Sequence, residues 1–463
     1  MTLFSLLIFL SFLVFSNAKT STTLGVNYGQ LGSNLPTPPK SIHLLKSLKS
    51  NFVKIYDANP QILKSLSGTK LQVSIMVPNE QILNISSSPA VSDQWVQTNI
   101  LPYYPQTKIR YVLIGNEILS SSQDPKLWHN LVPAMYRIQK SLITHRLFHI
   151  KVSTPSAMDV LESSFPPSSG KFRSNISVSV VKPMLQFLNR TKSGFFLDVY
   201  PYFPWSMSPN DIRLDYALFQ GGNFTYTDPI SKLTYTNLLD QMLDSVIFGM
   251  RSLGFPDVKL TIAETGWPTA GDFDQIGANI YNAATYNRNL VRKLSAQPPL
   301  GTPARPGVKI PAIIFSLFNE NQKPGPGTER NWGLFYPNGS EVYKIKFTGK
   351  VMKYHEKLPV PQNNEPYKGK VWCVVANGME KNSSELKSAL SYACGQGKGT
   401  CDAVQPGKAC YKKGNFVLQA NYAFSSYWAK FKSLGGSCYF NGLAVQTNVD
   451  PSFGSCKLPS VSL

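Results

Sequence analysis

The stretch RYVLIGNEIL (residues 110–119) runs through strand-forming residues and reaches Glu117 just after the apolar pattern stops. The stretch KLTIAETGWP (residues 259–268) has the same design and places Glu264 at the end of its apolar run. Short apolar or β-branched runs bounded by glycine are typical of buried strands. Each predicted strand therefore ends on a carboxylate, and the two glutamates are far apart in the sequence.

Eight such runs recur along the first three quarters of the chain, beginning at Leu24, Phe52, Leu71, Arg110, Ile150, Phe195, Lys259 and Ala312. Longer segments with helical apolar spacing lie between most of them, for example residues 126–142, 236–254 and 278–294. Alternation of this kind over about 330 residues predicts an α/β fold, a (β/α)8 TIM barrel. A doubly wound open sheet is the alternative.

The barrel gives the two glutamates a common position. The C-terminal strand ends of a (β/α)8 barrel converge on one open face, where active sites are built. Glu117 ends the fourth predicted strand and Glu264 the seventh. Aromatic residues also lie at or near strand ends and predict a rim on which sugars stack: Tyr28, Tyr56, Tyr200 and Phe318.

The amino terminus has the pattern of an export signal. An apolar run ends in Ser-Asn-Ala at residues 16–18, which fits a secretory signal peptide over residues 1–18 and is too short for a comfortable membrane span. No lysine or arginine precedes the run, so a short amphipathic anchor stays as the weaker alternative. We expect a soluble, secreted monomer, extracellular or in the cell wall, with no integral membrane association.

The six cysteines all lie between Cys373 and Cys456. Such crowding in an exported chain predicts three disulfides in a small domain, with fifteen possible pairings. A metal site is less favoured, because tight C-x-x-C pairs and histidines are missing from this part of the sequence. The expected organisation is a signal at 1–18, a barrel at 23–355, a linker at 356–370 and a cysteine-rich module at 371–457.

The formal net charge is +20, but the basic residues are scattered in ones and twos. A solvated basic surface is favoured over nucleic-acid binding, and attraction to acidic wall polysaccharide is a further hypothesis. Six asparagines occur in the N-x-S/T pattern that permits glycosylation: Asn84, Asn175, Asn189, Asn223, Asn338 and Asn382.

Two carboxylates at one barrel mouth suit glycoside hydrolysis. Cleavage needs a proton donor for the leaving oxygen and a second carboxylate that acts at the anomeric carbon. A single glutamate at a strand end is more often half of a salt bridge or a helix cap. Two of them, each in a glycine-containing turn, favour catalysis.

The segments VLIGNE, VYPYF, AETGWPTAG and FNENQKPGPGTERNWGLFYPNGS closely resemble the plant β-1,3-glucanases of glycoside hydrolase family 17. The resemblance extends from residue 25 to about residue 354. It implies an endo-acting, retaining enzyme for 1,3-linked β-glucan, with Glu264 as nucleophile and Glu117 as acid/base. Glu320, Lys323 and Glu329 match further polar positions of the active-site region.

Other roles are interpreted within that resemblance. Asn116 is expected to hydrogen-bond the sugar hydroxyl beside the anomeric carbon. Lys323 either keeps Glu264 ionised or pairs with Glu320 or Glu329. Trp267 is expected to pack beneath the nucleophile turn.

Tyr28 and Tyr200 are expected to form sugar platforms, with core packing as the alternative. Lys54 stands where the family leads us to expect arginine, and Thr261 where we expect an aliphatic residue. Neither is expected to contact the reacting groups.

Residues 371–463 resemble the carbohydrate-binding modules of family 43. The resemblance implies the disulfides Cys373–Cys438, Cys394–Cys401 and Cys410–Cys456. The aromatic residues that either stack on glucan or form the core of this small α+β module are Tyr422, Tyr427, Trp428 and Tyr439.

These observations predict a secreted endo-hydrolase of 1,3-β-glucan, acting on callose or fungal wall glucan, that uses no cofactor and no metal. One alternative is a wall-binding protein whose barrel has lost catalysis. Another is a transglucosylase, in which an acceptor sugar outcompetes water at the glycosyl-enzyme.

Overall fold

The computed structural model describes residues 24–120, 123–348, 353–377 and 383–463. The segment expected to be a signal peptide and the possible glycosylation site Asn382 lie outside the described residues. Eight parallel β-strands, one of them divided into two segments, form the centre of the larger domain. They are β1 Leu24–Asn27, β2 Phe52–Lys54, β3 Gln72–Val77, β4 Lys108–Ile114, β5 in the two segments Lys151–Ser153 and Pro155–Ala157, β6 Phe195–Asp198, β7 Leu260–Thr265 and β8 Ala312–Ile314.

The sheet closes on itself. The first segment of β5 pairs with β4 and the second with β6, with only Thr154 between them. At the seam of the chain, β8 pairs with both β1 and β7, and all of these pairings are parallel. The predicted (β/α)8 barrel is therefore confirmed, and the open-sheet alternative is excluded.

The helices lie between the strands, as the apolar spacing predicts. Asn59, Asp124, Asn237 and Asn279 each accept backbone N–H groups at a helix start, which satisfies donors that have no partner inside the helix. The barrel-domain helices are Pro38–Ser47, Pro60–Leu66, Ile82–Ser87, Pro89–Asn99, Pro125–Thr144, Ser174–Ile176, Lys182–Thr191, Tyr202–Met207, Leu214–Ala217, Leu238–Ser252 and Ile280–Leu294. Short hairpins join Leu161–Ser163 to Lys171–Phe172, Tyr226–Thr227 to Thr234–Tyr235, and Gly301–Thr302 to Arg305–Pro306.

Side chains fill the inside of the barrel in layers. Tyr111 lies between Phe52 and Phe196, with ring centroids 6.1 and 5.0 Å away. Because side chains alternate along a strand, the residue two positions after Phe52 also points inward, one layer nearer the open end. That residue is Lys54, which is completely buried.

The smaller domain is built around one strand and three disulfides. Lys370–Val375 (β9) pairs antiparallel with Ala444–Thr447 (β10) and Val461–Ser462 (β11). Helix Phe416–Phe431 packs against β9, and helix Ser384–Gly395 packs against helix Phe416–Phe431. The bonds are Cys373–Cys438, Cys394–Cys401 and Cys410–Cys456, the pairs that the resemblance implied.

The segment predicted as a linker lies along the barrel surface. Glu356 forms an ion pair with Arg288. The side-chain oxygen of Asn364 accepts hydrogen bonds from Asn279 at 3.0 Å and Asn282 at 2.7 Å, both at the start of a barrel helix. These contacts fasten the connection to the barrel. In the part of the chain that the structure describes, no helix combines the length and hydrophobicity needed to cross a membrane.

Candidate active site

A cavity of about 610 Å³ opens at the C-terminal ends of the barrel strands. It has acidic, basic and aromatic walls, which suits a polar ligand with apolar ring faces. The lining residues are Gly29, Gln30, Leu31, Tyr56, Asp57, Asn116, Glu117, Tyr200, Phe203, Glu264, Phe315, Glu320, Lys323, Glu329 and Trp332. Both strand-end glutamates are among them.

Three side-chain hydrogen bonds hold the carboxylate of Glu264 in the cavity. Its Oε1 accepts from Lys54 Nζ at 2.5 Å and from the hydroxyl of Tyr56 at 2.5 Å, and its Oε2 accepts from the hydroxyl of Tyr200 at 2.7 Å. Burial by itself would raise the pKa of Glu264, but the charge of Lys54 and these three hydrogen bonds outweigh it and hold the pKa below its ordinary value. Glu264 is therefore an ionised carboxylate with its lone pairs directed by fixed donors.

Glu117 reaches the cavity through a sharp turn. Gly115 and Glu117 both adopt the left-handed region, with φ of 65° and 52°. A Cβ on Gly115 would lie 2.5 Å from the side chain of Ile118 and 2.7 Å from that of Ile82, so only glycine fits there. Burial, and then the negative charge of Glu264, raise the pKa of Glu117 to about 7. At mildly acidic pH Glu117 is a protonated acid facing an ionised Glu264.

Asn116, next to Glu117 in the sequence, is fixed at the cavity wall by its hydrogen bonds. Its backbone N–H donates to the side chain of Asn79 at 2.8 Å, and Asn79 in turn donates to the Asn116 carbonyl at 3.2 Å. The side-chain oxygen of Asn116 accepts from Lys54 at 3.3 Å. Because the oxygen faces Lys54, the amide is held in one orientation at the cavity wall.

The segment 320–330 forms another part of the cavity wall. Glu320 accepts the backbone N–H of Leu31 at 2.8 Å and packs against Gly29, where a Cβ would lie only 2.3 Å from its carboxylate. Lys323 forms an ion pair with Glu329 at 2.8 Å. Of the two roles left open for Lys323, the structure favours the pair with Glu329.

Lys54 corrects one expectation from the sequence. We expected it not to contact the reacting groups, whereas it is the cation that is bonded to Glu264. Thr261 is buried two strand positions before the bulge that precedes Glu264, and its hydroxyl lies near the backbone of Gly194. The departure at Lys54 therefore lies at the centre of the site.

Two aromatic expectations have different outcomes. Tyr200 lines the cavity and packs edge-on against Trp332, with ring centroids 5.0 Å apart. Tyr28 is 3% exposed and packs against Phe318, so core packing describes its position better than a sugar platform. Trp267 is completely buried, in agreement with its expected packing role.

Asp198 is a further carboxyl group near Glu264, and the sequence analysis missed it. It ends β6, is 2% exposed, and pairs in register with Glu264 on β7. Both of its carboxyl oxygens are buried, and the nearby side chain of Glu117 interacts with them. Burial, followed by the charge of Glu264, raises the pKa of Asp198 well above its ordinary value. A neutral Asp198 leaves one buried cation, Lys54, balanced by one buried anion, Glu264.

The aromatic residues of the small module divide into core and surface. Trp428 is 2% exposed and belongs to the core. Tyr427 and Tyr439 line a second cavity together with Tyr392 and Phe440, which sequence analysis did not single out. Tyr422 is half-buried and packs against the module core.

The described residues contain no group of three or more His, Cys, Asp or Glu side chains placed to hold a metal ion. Five of the six possible glycosylation sites are exposed: Asn84, Asn175, Asn189, Asn223 and Asn338.

Comparison with known proteins agrees with this geometry. Residues 24–347 match "Glycosyl hydrolases family 17", and residues 371–445 match the "X8 domain". The chain is 54% identical to "Probable glucan endo-1,3-beta-glucosidase A6" of Arabidopsis thaliana, over 96% of this chain and 92% of that protein. It is 36% identical to a "Glucan endo-1,3-beta-D-glucosidase" of Olea europaea, over 99% of this chain and 98% of that protein.

Two solved structures resemble the barrel. One is CJP38, described as a beta-1,3-glucanase and allergen of Cryptomeria japonica pollen, with a TM-score of 0.66 and 40% identity over 70% of this chain and 99% of that one. The other comes from work on two plant beta-glucan endohydrolases, with a TM-score of 0.64 and 36% identity over 70% of this chain and 100% of that one. With this match over most of its length, the chain belongs to family 17 of the glycosyl hydrolases and carries an X8 domain behind its barrel.

Proposed function

We propose that this protein is an endo-hydrolase of 1,3-β-glucan that retains anomeric configuration, with Glu264 as nucleophile and Glu117 as acid/base. The observation that carries the proposal is that both glutamates line one cavity, where Glu264 accepts hydrogen bonds from three fixed donors. Lys54, Tyr56 and Tyr200 keep Glu264 ionised, while burial and the charge of Glu264 keep Glu117 protonated. The relatives named as glucan endo-1,3-beta-glucosidases support the substrate.

In the first step, Glu117 gives its proton to the glycosidic oxygen as the bond from that oxygen to the anomeric carbon breaks. A carboxylate oxygen of Glu264 attacks the same carbon from the opposite face and forms a glycosyl ester. Glu264 contributes an electron pair and Glu117 a proton, so the leaving chain departs as a neutral alcohol. The side-chain oxygen of Asn116 accepts a hydrogen bond from Lys54, so the N–H₂ group of Asn116 remains to donate to a sugar hydroxyl.

In the second step, the charge on Glu264 is gone because the carboxylate has become an ester. The like-charge repulsion that raised the pKa of Glu117 is therefore removed, and Glu117 becomes a stable carboxylate. It accepts a proton from water, and the oxygen of that water attacks the anomeric carbon. The ester bond breaks, and both glutamates return to their starting states with net retention.

Lys54, Tyr56 and Tyr200 act on both steps through Glu264. Their hydrogen bonds to Glu264 fix them before substrate arrives, and Lys54 is also completely buried, so their orientation costs no reorganisation during the reaction. Burial, and then the charge of Glu264, raise the pKa of Tyr56 well above its ordinary value, so this hydroxyl stays a donor. The donors also stabilise the carboxylate when the ester is hydrolysed.

The deciding experiment measures reducing-sugar release from soluble 1,3-β-glucan by the full chain, with Glu264→Gln as the matched inactive control. NMR of the first products reports their anomeric configuration. A β-product supports the proposal, and an α-product contradicts the double displacement. If no sugar is released, the protein is a glucan-binding protein, and if larger oligosaccharides appear, it is a transglucosylase.

The same proposal covers the role of the X8 domain and the export, glycosylation and charge of the protein. The X8 domain would bind glucan, the protein would be exported with N-linked sugars, and its net charge of +20 would favour acidic wall polysaccharide. Callose and fungal wall glucan are both 1,3-linked and suit the site equally.

A further inference from the structure

A second cavity, of about 740 Å³, lies where the X8 domain meets the barrel. The X8 domain lines it with Tyr392, Tyr427, Tyr439 and Phe440 and with polar groups from the start of helix Ser384–Gly395. Tyr392 is 53% exposed, and its ring lies 5.8 Å from that of Tyr427. Exposed rings beside hydroxyl and carboxylate groups match a carbohydrate, which has apolar faces and polar edges.

The two cavities share a wall. Lys323 and Glu329 line the cavity at the barrel mouth, whereas Gly325, between them in the sequence, lines the cavity of the X8 domain. The turn KPGPGTE (residues 323–329) therefore has the catalytic cavity on one side and the aromatic cavity on the other. Glycine at 325 adopts φ of 96° and keeps this wall thin.

The turn is bound to the X8 domain. The guanidinium of Arg330 donates to the carbonyls of Lys323 at 3.2 Å and Gly325 at 3.0 Å, and lies 4.1 Å from the ring centroid of Tyr439. The hydroxyl of Tyr439 approaches the carbonyl of Asn321 at 3.5 Å. One aromatic residue of the X8 domain thus supports the segment that carries the wall of the catalytic cavity.

Further contacts fix the relative position of the two cavities. The backbone N–H of Phe273 donates to Gln446 at 3.1 Å, and its ring lies 5.0 Å from that of Tyr367. Lys432 forms an ion pair with Asp274 at 2.9 Å. These contacts, together with the fastened connecting segment, hold the two domains in one arrangement rather than on a free tether.

We propose that the aromatic cavity of the X8 domain is an extension of the catalytic cleft, and that one 1,3-β-glucan chain crosses the turn 323–329 and occupies both. The proposal rests on the proposed function for its substrate. It differs from a tethered binder, which would hold a separate chain and affect only insoluble substrate. A chain too short to cross the turn uses the catalytic cavity alone.

The test is the dependence of KM and kcat on the length of soluble 1,3-β-gluco-oligosaccharides. Tyr392→Ala removes a half-exposed ring, and Ser388→Trp fills the cavity from the same helix. Tyr411→Ala, in the same domain but outside the cavity, is the control. We expect the wild type and the control to show a KM that falls as the chain lengthens. In both cavity variants KM for long chains should rise about tenfold. This is less than the roughly 10²- to 10⁴-fold gain in apparent affinity that two linked sites can give.

Short-chain kinetics separate this proposal from the proposed function. If the wild type cleaves neither short nor long chains, the proposed function fails. If it cleaves them and the cavity variants keep the wild-type length dependence, the extension is refuted, even where binding to insoluble glucan is weaker, because the cavity then holds a separate chain. An equal loss on short and long chains also refutes it, since the cavity would then support the barrel and not the substrate.

Discussion

Lys54 Nζ lies 2.5 Å from Glu264 Oε1, and the lysine side chain is completely buried. A buried lysine and a buried carboxylate are stable only as a pair, because each charge alone would carry a large desolvation cost. Glu264, the proposed nucleophile, therefore depends on a residue of another strand, β2, for its charge state.

Replacing Lys54 by Met should impair activity through Glu264. Without the cation, burial raises the pKa of Glu264, so the acid limb of the pH profile of kcat/KM should move to higher pH. Loss of a fixed donor at a reacting group costs roughly 10² to 10³ in kcat. Lys54→Arg keeps the charge and is the control. Equal loss in both variants with an unchanged acid limb would point to packing instead of charge.

The alkaline limb should report Glu117. Its pKa is raised to about 7, and the proposed acid must be protonated in the free enzyme, so kcat/KM should fall as pH rises through this value. In Glu264→Gln the neighbouring charge is absent, and the pKa of Glu117 should be lower. NMR titration of the Glu117 carboxyl carbon in both proteins measures the difference. An unchanged pKa in the variant would contradict the coupling between the two glutamates.

The roles of the two glutamates can be told apart by rescue with azide. Glu264→Ala vacates the space beneath the anomeric carbon, so azide should restore turnover and yield an α-glycosyl azide from an activated β-glucoside. Glu117→Ala leaves the nucleophile in place, and azide should there attack the glycosyl ester and give the β-azide. Product NMR identifies the anomer. An α-azide from Glu117→Ala would reverse the assignment.

The barrel and both glutamates are predictable because strand spacing and strand ends are local features of the sequence. Lys54 was missed as a partner of Glu264 because 210 residues separate them and only barrel closure brings them together. The sequence nevertheless contained an indication of this contact. Phe52 and Lys54 share one face of β2, so the lysine had to point into the barrel and needed a carboxylate there.

Asp198 and Tyr28 could not be assigned for a different reason. Tyr28 follows β1 and Asp198 ends β6. The sequence does not say how deep in the barrel mouth either side chain lies. Tyr28 contacts Phe318 below the cavity wall, and Asp198 lies against the strand of Glu264. Depth depends on strand register and on the bulge before Glu264, which only the assembled sheet determines.

Asp198 gives a prediction that depends on its protonation. Because burial and the charge of Glu264 raise its pKa, the side chain is neutral, and the neutral isostere Asp198→Asn should leave the alkaline limb of Glu117 in place. An ionised Asp198 would behave differently, since removing its charge would lower the pKa of Glu117 and move that limb to lower pH. The pH profile of kcat/KM in the two proteins therefore distinguishes the two states.

Reduction should separate the two domains functionally. All six cysteines lie in the smaller domain, between Cys373 and Cys456, so the barrel contains no disulfide. Loss of a native disulfide from a small domain costs about 2–5 kcal/mol, and loss of all three should unfold this one. Reductant should therefore abolish binding to insoluble glucan and raise KM for long soluble chains, while cleavage of short chains persists.

A chain that ends at residue 369, before β9, should behave as the reduced protein does, apart from some loss of thermal stability because Phe273 then loses its contacts with the core of the smaller domain. Assays of oxidised, reduced and truncated protein on short, long and insoluble substrates make the comparison, with Tyr411→Ala as the control for damage to the domain surface. If reduction removes short-chain activity in proportion to long-chain activity, the barrel depends on the X8 domain for its fold and the assignment of separate roles is wrong.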